Sequence, residues 1–238
     1  MNKNGIKMEK YRNVKIGEIV TNDFRAAEIF KNAGIDFCCG GNQSLEQACN
    51  EKNIDAAELE AELAKLENTT VNALHNFNEW SLDFLSDYIV NTHHKTVRKL
   101  LPQLLAYTQK IEQVHGAHHP ELVEIAGLFS QINDELLQHL RNEEEVLFPA
   151  IKELLRSDSA EAKATVISEI SRMTGEHEFA GGAMDKINVL SDNYSVPADG
   201  CNTYQVAYKL LEQFEDDLHI HVHLENNILY PKALHLSH

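Results

Sequence analysis

His139-Leu140-Arg141-Asn142-Glu143-Glu144-Glu145-Val146-Leu147-Phe148-Pro149 returns near the C-terminus as His221-Val222-His223-Leu224-Glu225-Asn226-Asn227-Ile228-Leu229-Tyr230-Pro231. In both copies a His is followed four residues on by a Glu, then by two aliphatic residues, an aromatic ring and a Pro. His139 and His221 lie 82 positions apart, and a second pair, His94 and His177, lies 83 apart. The chain therefore reads as two related helical hairpins. On a helix a residue and its fourth neighbour share one face, so each His and its Glu aim into the same space. Two such faces meeting would gather four imidazoles and two carboxylates, a duplicated metal site.

The candidate ligands fall on apolar stripes at helical spacing. One stripe runs Ile125, Phe129, Ile132, Leu136, His139, Glu143, Val146, another Val166, Ile170, Met173, His177, Ala180, Met184, Ile187. A third runs Ala207, Leu210, Phe214, Leu218, His221, Glu225, Ile228, and the first helix gives Val90, His94, Val97, Leu101. No Lys or Arg shares these stripes, and a buried carboxylate without positive charge is very costly. Metal cations would supply that charge. His94 is preferred over the adjacent His93 because it keeps the repeat: His94 to His139 spans 45 positions and His177 to His221 spans 44. His93 is left as a group behind the ligands or at the surface, His219 and His223 as solvated or hydrogen-bonded, and His115, His118 and His119 as loop residues. Glu144, one step round the helix, reads as a bystander.

Around this core the spacing predicts four long helices, from about 82 to 114, 120 to 156, 160 to 190 and 203 to 236, with Pro102 as a kink in the first. Shorter helices are expected over 23–33, opened by Asp23 and stopped by Gly34, and over 45–52 and 56–66 behind the capping signals Ser44-x-x-Gln47 and Asp55-x-x-Glu58. The expectation is an all-α chain: a small helical N-terminal domain over residues 1–66, an Asn- and Thr-rich linker over 67–79, and a four-helix bundle over 80–238.

At 238 residues, with 43% hydrophobic residues, 11 Gly and 5 Pro, the composition is that of a helical globule. A formal net charge of −16 argues against nucleic acid or an anionic membrane as partner and is compatible with attracting cations. No signal-peptide core or bilayer-spanning run is evident, so the expected location is cytoplasmic. The four cysteines are expected to be reduced thiols. Of these, the adjacent pair Cys38 and Cys39 precedes Gly40-Gly41, and its thiolates would suit iron or nitrosyl ligands; two small buried residues are the plainer alternative. Cys49 and Cys201 carry no pattern.

Four imidazoles and two carboxylates suit two ions bridged by both carboxylates, each ion holding two imidazoles, with coordination positions left over. Such a donor set fits iron, manganese or zinc. The His/Glu pattern resembles the hemerythrin-like cation-binding domain, and the Cys38-Cys39-Gly40-Gly41 loop ahead of it resembles the N-terminal domain of the iron-sulfur cluster repair di-iron proteins, the "repair of iron centres" family. The resemblance spans about Ile16 to Leu234. It implies a hemerythrin-like four-helix bundle in which His94, His139, Glu143, His177, His221 and Glu225 bind two non-haem irons, oxo- and carboxylate-bridged. Oxygen-carrying hemerythrins use more histidines, which tells against simple oxygen carriage. The function implied is a stress response: repair of iron-sulfur clusters damaged by oxidative or nitrosative stress, by iron supplied from a labile centre, with Cys38 and Cys39 in a thiol role. The partners implied are iron-sulfur proteins with damaged clusters and small ligands such as nitric oxide or dioxygen; a homodimer is compatible with the sequence. The competing readings are a nitric oxide or peroxide reductase, an oxidoreductase on the same site, and an oxygen or nitric oxide sensor.

Overall fold

A computed structural model describes residues 10–67 and 76–237; most of the stretch read as a linker, residues 68–75, lies outside the described residues. Among the described residues every regular element is helical, as expected, with one isolated bridge between Lys15 and Ser44. No helix there is long and apolar enough to cross a membrane. The chain divides into two compact units, one of Met1–Ser81 with Val222–Lys232, the other of Leu82–His221 with Ala233–His238.

In the first unit the helices are α1 (Ile16–Asn22), α2 (Ala26–Asn32), α3 (Leu45–Lys52) and α4 (Ala56–Leu66). Ser44 and Gln47 form the reciprocal capping box that opens α3, and Asp55 accepts the Ala57 N–H at the start of α4. The helix expected over 23–33 is shorter. Asp23 instead accepts the Arg25 N–H at 3.1 Å and binds the Arg25 guanidinium, so α2 starts at Ala26. Gly34 ends it at φ +64, the left-handed position that glycine adopts without penalty. Helix α1 was not anticipated. Ile16, Val20, Phe30, Leu45 and Leu63 are buried and form the core of this unit.

The second unit holds α5 (Leu82–Ile89), α6 (Lys95–His115), α7 (Glu121–Asn142), α8 (Phe148–Leu154) and α9 (Ala160–Leu190), while α10 (Asn202–Leu224) and α11 (Tyr230–Ser237) continue into the C-terminus. Three π-helical turns join successive segments into long rods: π1 (Val90–His94) between α5 and α6, π2 (Glu143–Leu147) between α7 and α8, and π3 (Glu225–Leu229) between α10 and α11. With α9 these rods are the four long helices foreseen. Pro102 lies inside α6, which runs on through it. Helix α6 packs on α7, α7 and α8 pack on α9, and Phe129 meets Phe214 edge to face at 5.5 Å.

A π-turn carries one residue more than an α-turn, so the residues beyond it rotate. Val146, placed on the buried stripe by a strict helical period, is 40% exposed, and Leu147 takes the buried place. On α10, ahead of π3, Leu211 rather than Leu210 is buried.

Candidate metal centre

The π-turns fall where the ligands are. π1 ends on His94, π2 begins with Glu143 and π3 begins with Glu225. Two of them have a visible cause. Pro149 and Pro231 have no N–H to donate, and a proline ring collides with the carbonyl four residues back; the wider turn just before each proline relieves that collision. Phe148 N–H and Tyr230 N–H accordingly reach back five residues, to the carbonyls of Glu143 and Glu225.

All six candidate ligands are buried: His94, His139, His177 and His221, with Glu143 and Glu225 at 0% exposure. Ligand atoms of His94, Glu143, His221 and Glu225 lie within 4.8 Å of one another, as do those of His139, Glu143, His177 and Glu225. Each group has two imidazoles of its own, and both contain the same two carboxylates.

The outer faces of the rings set their protonation. His94 Nδ1 is 2.6 Å from Glu144 Oε1, and His139 Nδ1 is 2.7 Å from Glu176 Oε2. Each carboxylate is also held by an arginine, Arg98 on Glu144 at 2.7 Å and Arg172 on Glu176 at 2.8 Å. Burial would push the Glu144 carboxyl up, but Arg98 and His94 hold it below the ordinary range. Glu176 is lowered first by its bond to His139, then by Arg172. An ionised carboxylate accepts only, so both rings carry their proton on Nδ1 and turn the Nε2 lone pair inward. There His94 Nε2 and His139 Nε2 each stand 3.3 Å from Glu143 Oε2, and His139 Nε2 is 3.1 Å from His177 Nε2. Burial alone would raise the Glu143 carboxyl; when an inner Nε2 also takes a proton, the charge and hydrogen bond of His139, and those of His94, hold that carboxyl well below the ordinary range. Lone pairs and a carboxylate converging at these distances form an acceptor cage, and a cation is what such a cage fits.

His94, not His93, stands in the first of the two groups. His93 is also buried, which excludes a surface role: its ring stacks on His221 at 5.6 Å and its Nδ1 meets Asp217 at 3.0 Å. Reading Glu144 as a bystander is corrected, since it orients a ligand ring. Glu144, Glu176 and Asp217 were missed because they lie off the apolar stripe; the only signal is adjacency, Glu144 following Glu143 and Glu176 preceding His177. His223 is buried, hydrogen-bonded to Asn227 at 3.1 Å, and pushed down to about 4 by desolvation, so it stays neutral.

In the other unit, the Cys loop wraps round Asp36. That carboxylate accepts the N–H groups of Cys38 at 2.8 Å, Cys39 at 3.0 Å and Gly40 at 2.7 Å, as well as the Cys38 thiol at 3.0 Å. Asn227 donates to the carbonyls of Phe37 and Cys38 at 3.3 and 3.1 Å. It sits so close that a Cβ on Gly41 would stand 2.7 Å from its Oδ1. Cys38 is buried, and the adjoining Cys39 thiol, burial and Asp36 together raise its pKa well above the ordinary value. It is a protonated thiol at neutral pH, against the expectation of a thiolate; only Cys39 is partly exposed.

Comparison with known proteins agrees with both halves of this description. Residues 86–233 match the hemerythrin HHE cation binding domain, and residues 12–67 match ScdA_N, a domain of unknown function. The chain is 33% identical to the iron-sulfur cluster repair protein ScdA of Staphylococcus epidermidis, over 92% of this chain and 96% of that protein. It is 36% identical to the iron-sulfur cluster repair protein YtfE of Musicola paradisiaca, over 94% and 97% of the two chains. With YtfE of Yersinia pestis the identity is 35% over 94% and 98%. The chain belongs to this family of hemerythrin-like iron-sulfur cluster repair proteins. Within the matched cation-binding domain, His94, Glu143 and their four companions are the buried cluster described above, able to hold a metal ion.

Proposed function

We propose that the chain repairs damaged iron-sulfur clusters and that its bundle holds two iron ions, one on His94 and His221 and one on His139 and His177, with Glu143 and Glu225 shared between them. The observation that carries this reading is the presence of the same two carboxylates in both four-residue groups. Two ions sharing two carboxylates with two imidazoles each have unfilled coordination positions, and such a centre would supply exchangeable iron. The chain's own contribution is orientation and proton control. Glu144 with Arg98, and Glu176 with Arg172, fix two rings with their lone pairs inward. A proton on Nε2 competes directly with metal, so acid favours release. Of the cysteine pair, Cys39 is the one able to meet another molecule, and its thiol role concerns contact with the recipient protein.

The test is stoichiometric transfer. Iron-loaded protein mixed with an apo-cluster protein and sulfide should restore the cluster, losing about as much iron as the recipient gains. Glu143→Leu should fold, because an apolar residue suits its buried place, yet hold little iron and restore nothing. Repeated turnover with a supplied reductant and nitric oxide or peroxide, without loss of iron, would instead establish the oxidoreductase reading. Full restoration by an iron-free Glu143→Leu chain would end the iron-supply proposal.

A further inference from the structure

A second group of metal-ligating side chains lies within the bundle unit. Asp185 on α9 and Glu215 and His219 on α10 offer ligand atoms within 4.8 Å of one another. Glu215 and His219 are four residues apart on one helix, the spacing that makes His139/Glu143 a two-point chelate, here with the order reversed. Asp185 is eight residues beyond His177 and Glu215 six before His221, so this group stands roughly 9–12 Å along the helices from the six-residue centre.

Three observations single out Glu215 at the heart of this group. Glu215 is only 6% exposed. Burial pushes its carboxyl up to about 7, against the hydrogen bond from Asn188 Nδ2 at 3.0 Å, and the charges of Asp185 and Asp216 add to the effect. The third observation is Tyr194. Its ring is buried at 9% exposure and its hydroxyl has no close hydrogen-bond partner; burial first, then the adjacent Glu215 carboxylate, raises its pKa. Tyr194 is delivered there by three successive left-handed residues, Asp192, Asn193 and Tyr194, at φ 50, 54 and 58, a conformation a bulky residue adopts only under tertiary constraint.

We propose that Asp185, Glu215 and His219 form a further cation site for a divalent first-row metal such as Mn²⁺ or Fe²⁺, with the Tyr194 hydroxyl turned toward the ion or its bound water. Two carboxylates and one imidazole without thiolate are a donor set for such metals. The exposed carboxylate of Asp185 leaves the ion reachable from solvent. The site is independent of the six-residue centre, and the test keeps the two apart.

Full-length iron-loaded protein is titrated with Mn²⁺ while the electron paramagnetic resonance signal of the free ion is followed. Wild type should take up one Mn²⁺ equivalent beyond its iron. Glu215→Gln and Asp185→Asn should each weaken that uptake at least tenfold with iron content unchanged; circular dichroism checks the fold. A Glu143→Leu chain, emptied at the centre, should still take up the same equivalent. Equal Mn²⁺ uptake by wild type and by folded Glu215→Gln would overturn the proposal, as would loss of the equivalent in Glu143→Leu alone, which would show Mn²⁺ reading only the centre.

Discussion

At the scale of single residues, the carboxylates behind the imidazoles decide how firmly the metal is held. Glu144→Ala removes the acceptor that fixes His94 Nδ1 and should weaken metal binding by about 10–100-fold. Glu145→Ala, exposed on the same π-turn, should change little. Competition with a chelator measures both, and equal affinities in the two variants would contradict the orienting role. Cys201 makes a second residue-scale prediction. His115 Nε2 lies 3.2 Å from its sulfur, and with the amides of Tyr204 and Thr203 it lowers the thiol to about 7. The reactive thiolate is present above that pH and lost as pH falls through it. Alkylation at Cys201, followed by mass spectrometry, should therefore reach half its limiting rate near pH 7; His115→Ala should move the midpoint toward about 8.5. The six residues of the buried cluster were legible in the sequence because each interrupts an apolar stripe. Glu144, Glu176 and the Cys201–His115 contact were not, since they depend on which side chains of separate helices meet.

Among the elements, the π-turns are the part that helical periodicity could not give. A 3.6-residue period places Val146 inward, and the extra residue in π2 replaces it with Leu147. The prolines six residues after Glu143 and Glu225 were in plain view as flanks of the repeat, but their effect on the turn before them was not drawn. The π1 turn has no proline just after it. Pro149 is exposed, so Pro149→Ala changes the backbone and leaves the core untouched. The expected outcome is a return of π2 toward α geometry: unchanged helicity by circular dichroism, with iron passing to a chelator several-fold faster. Release at the wild-type rate would show that packing alone holds the turn. Helices α3 and α4 were readable because Ser44 and Asp55 cap them with side-chain oxygens. Helix α1 follows Lys15, which makes no side-chain cap, and so carries no start signal.

For the whole molecule, stability and metal are linked. A ligand that binds only the folded chain stabilises it by about 4 kcal/mol at a thousandfold excess over its dissociation constant. Imidazoles bind metal only when neutral, so the gain is present above about pH 6.5 and is lost as pH falls through the His range. Calorimetry with and without a chelator should show a clear drop in melting temperature at pH 7.5 and almost none at pH 5; identical melting at pH 7.5 would mean that the acceptor cage is filled by something other than metal. The division of the chain has a consequence of another kind. The unit that contains the N-terminal helices also contains Val222–Lys232, with Asn227 hydrogen-bonded to the backbone of the Cys loop and Lys232 bonded to the Asn78 carbonyl. A ribosome makes those eleven residues only after Leu82–His221. The N-terminal helices therefore wait for the whole of Leu82–His221 to be synthesised before the cysteine loop can close, and a nascent chain stalled short of residue 222 carries that loop without the asparagine that pins it.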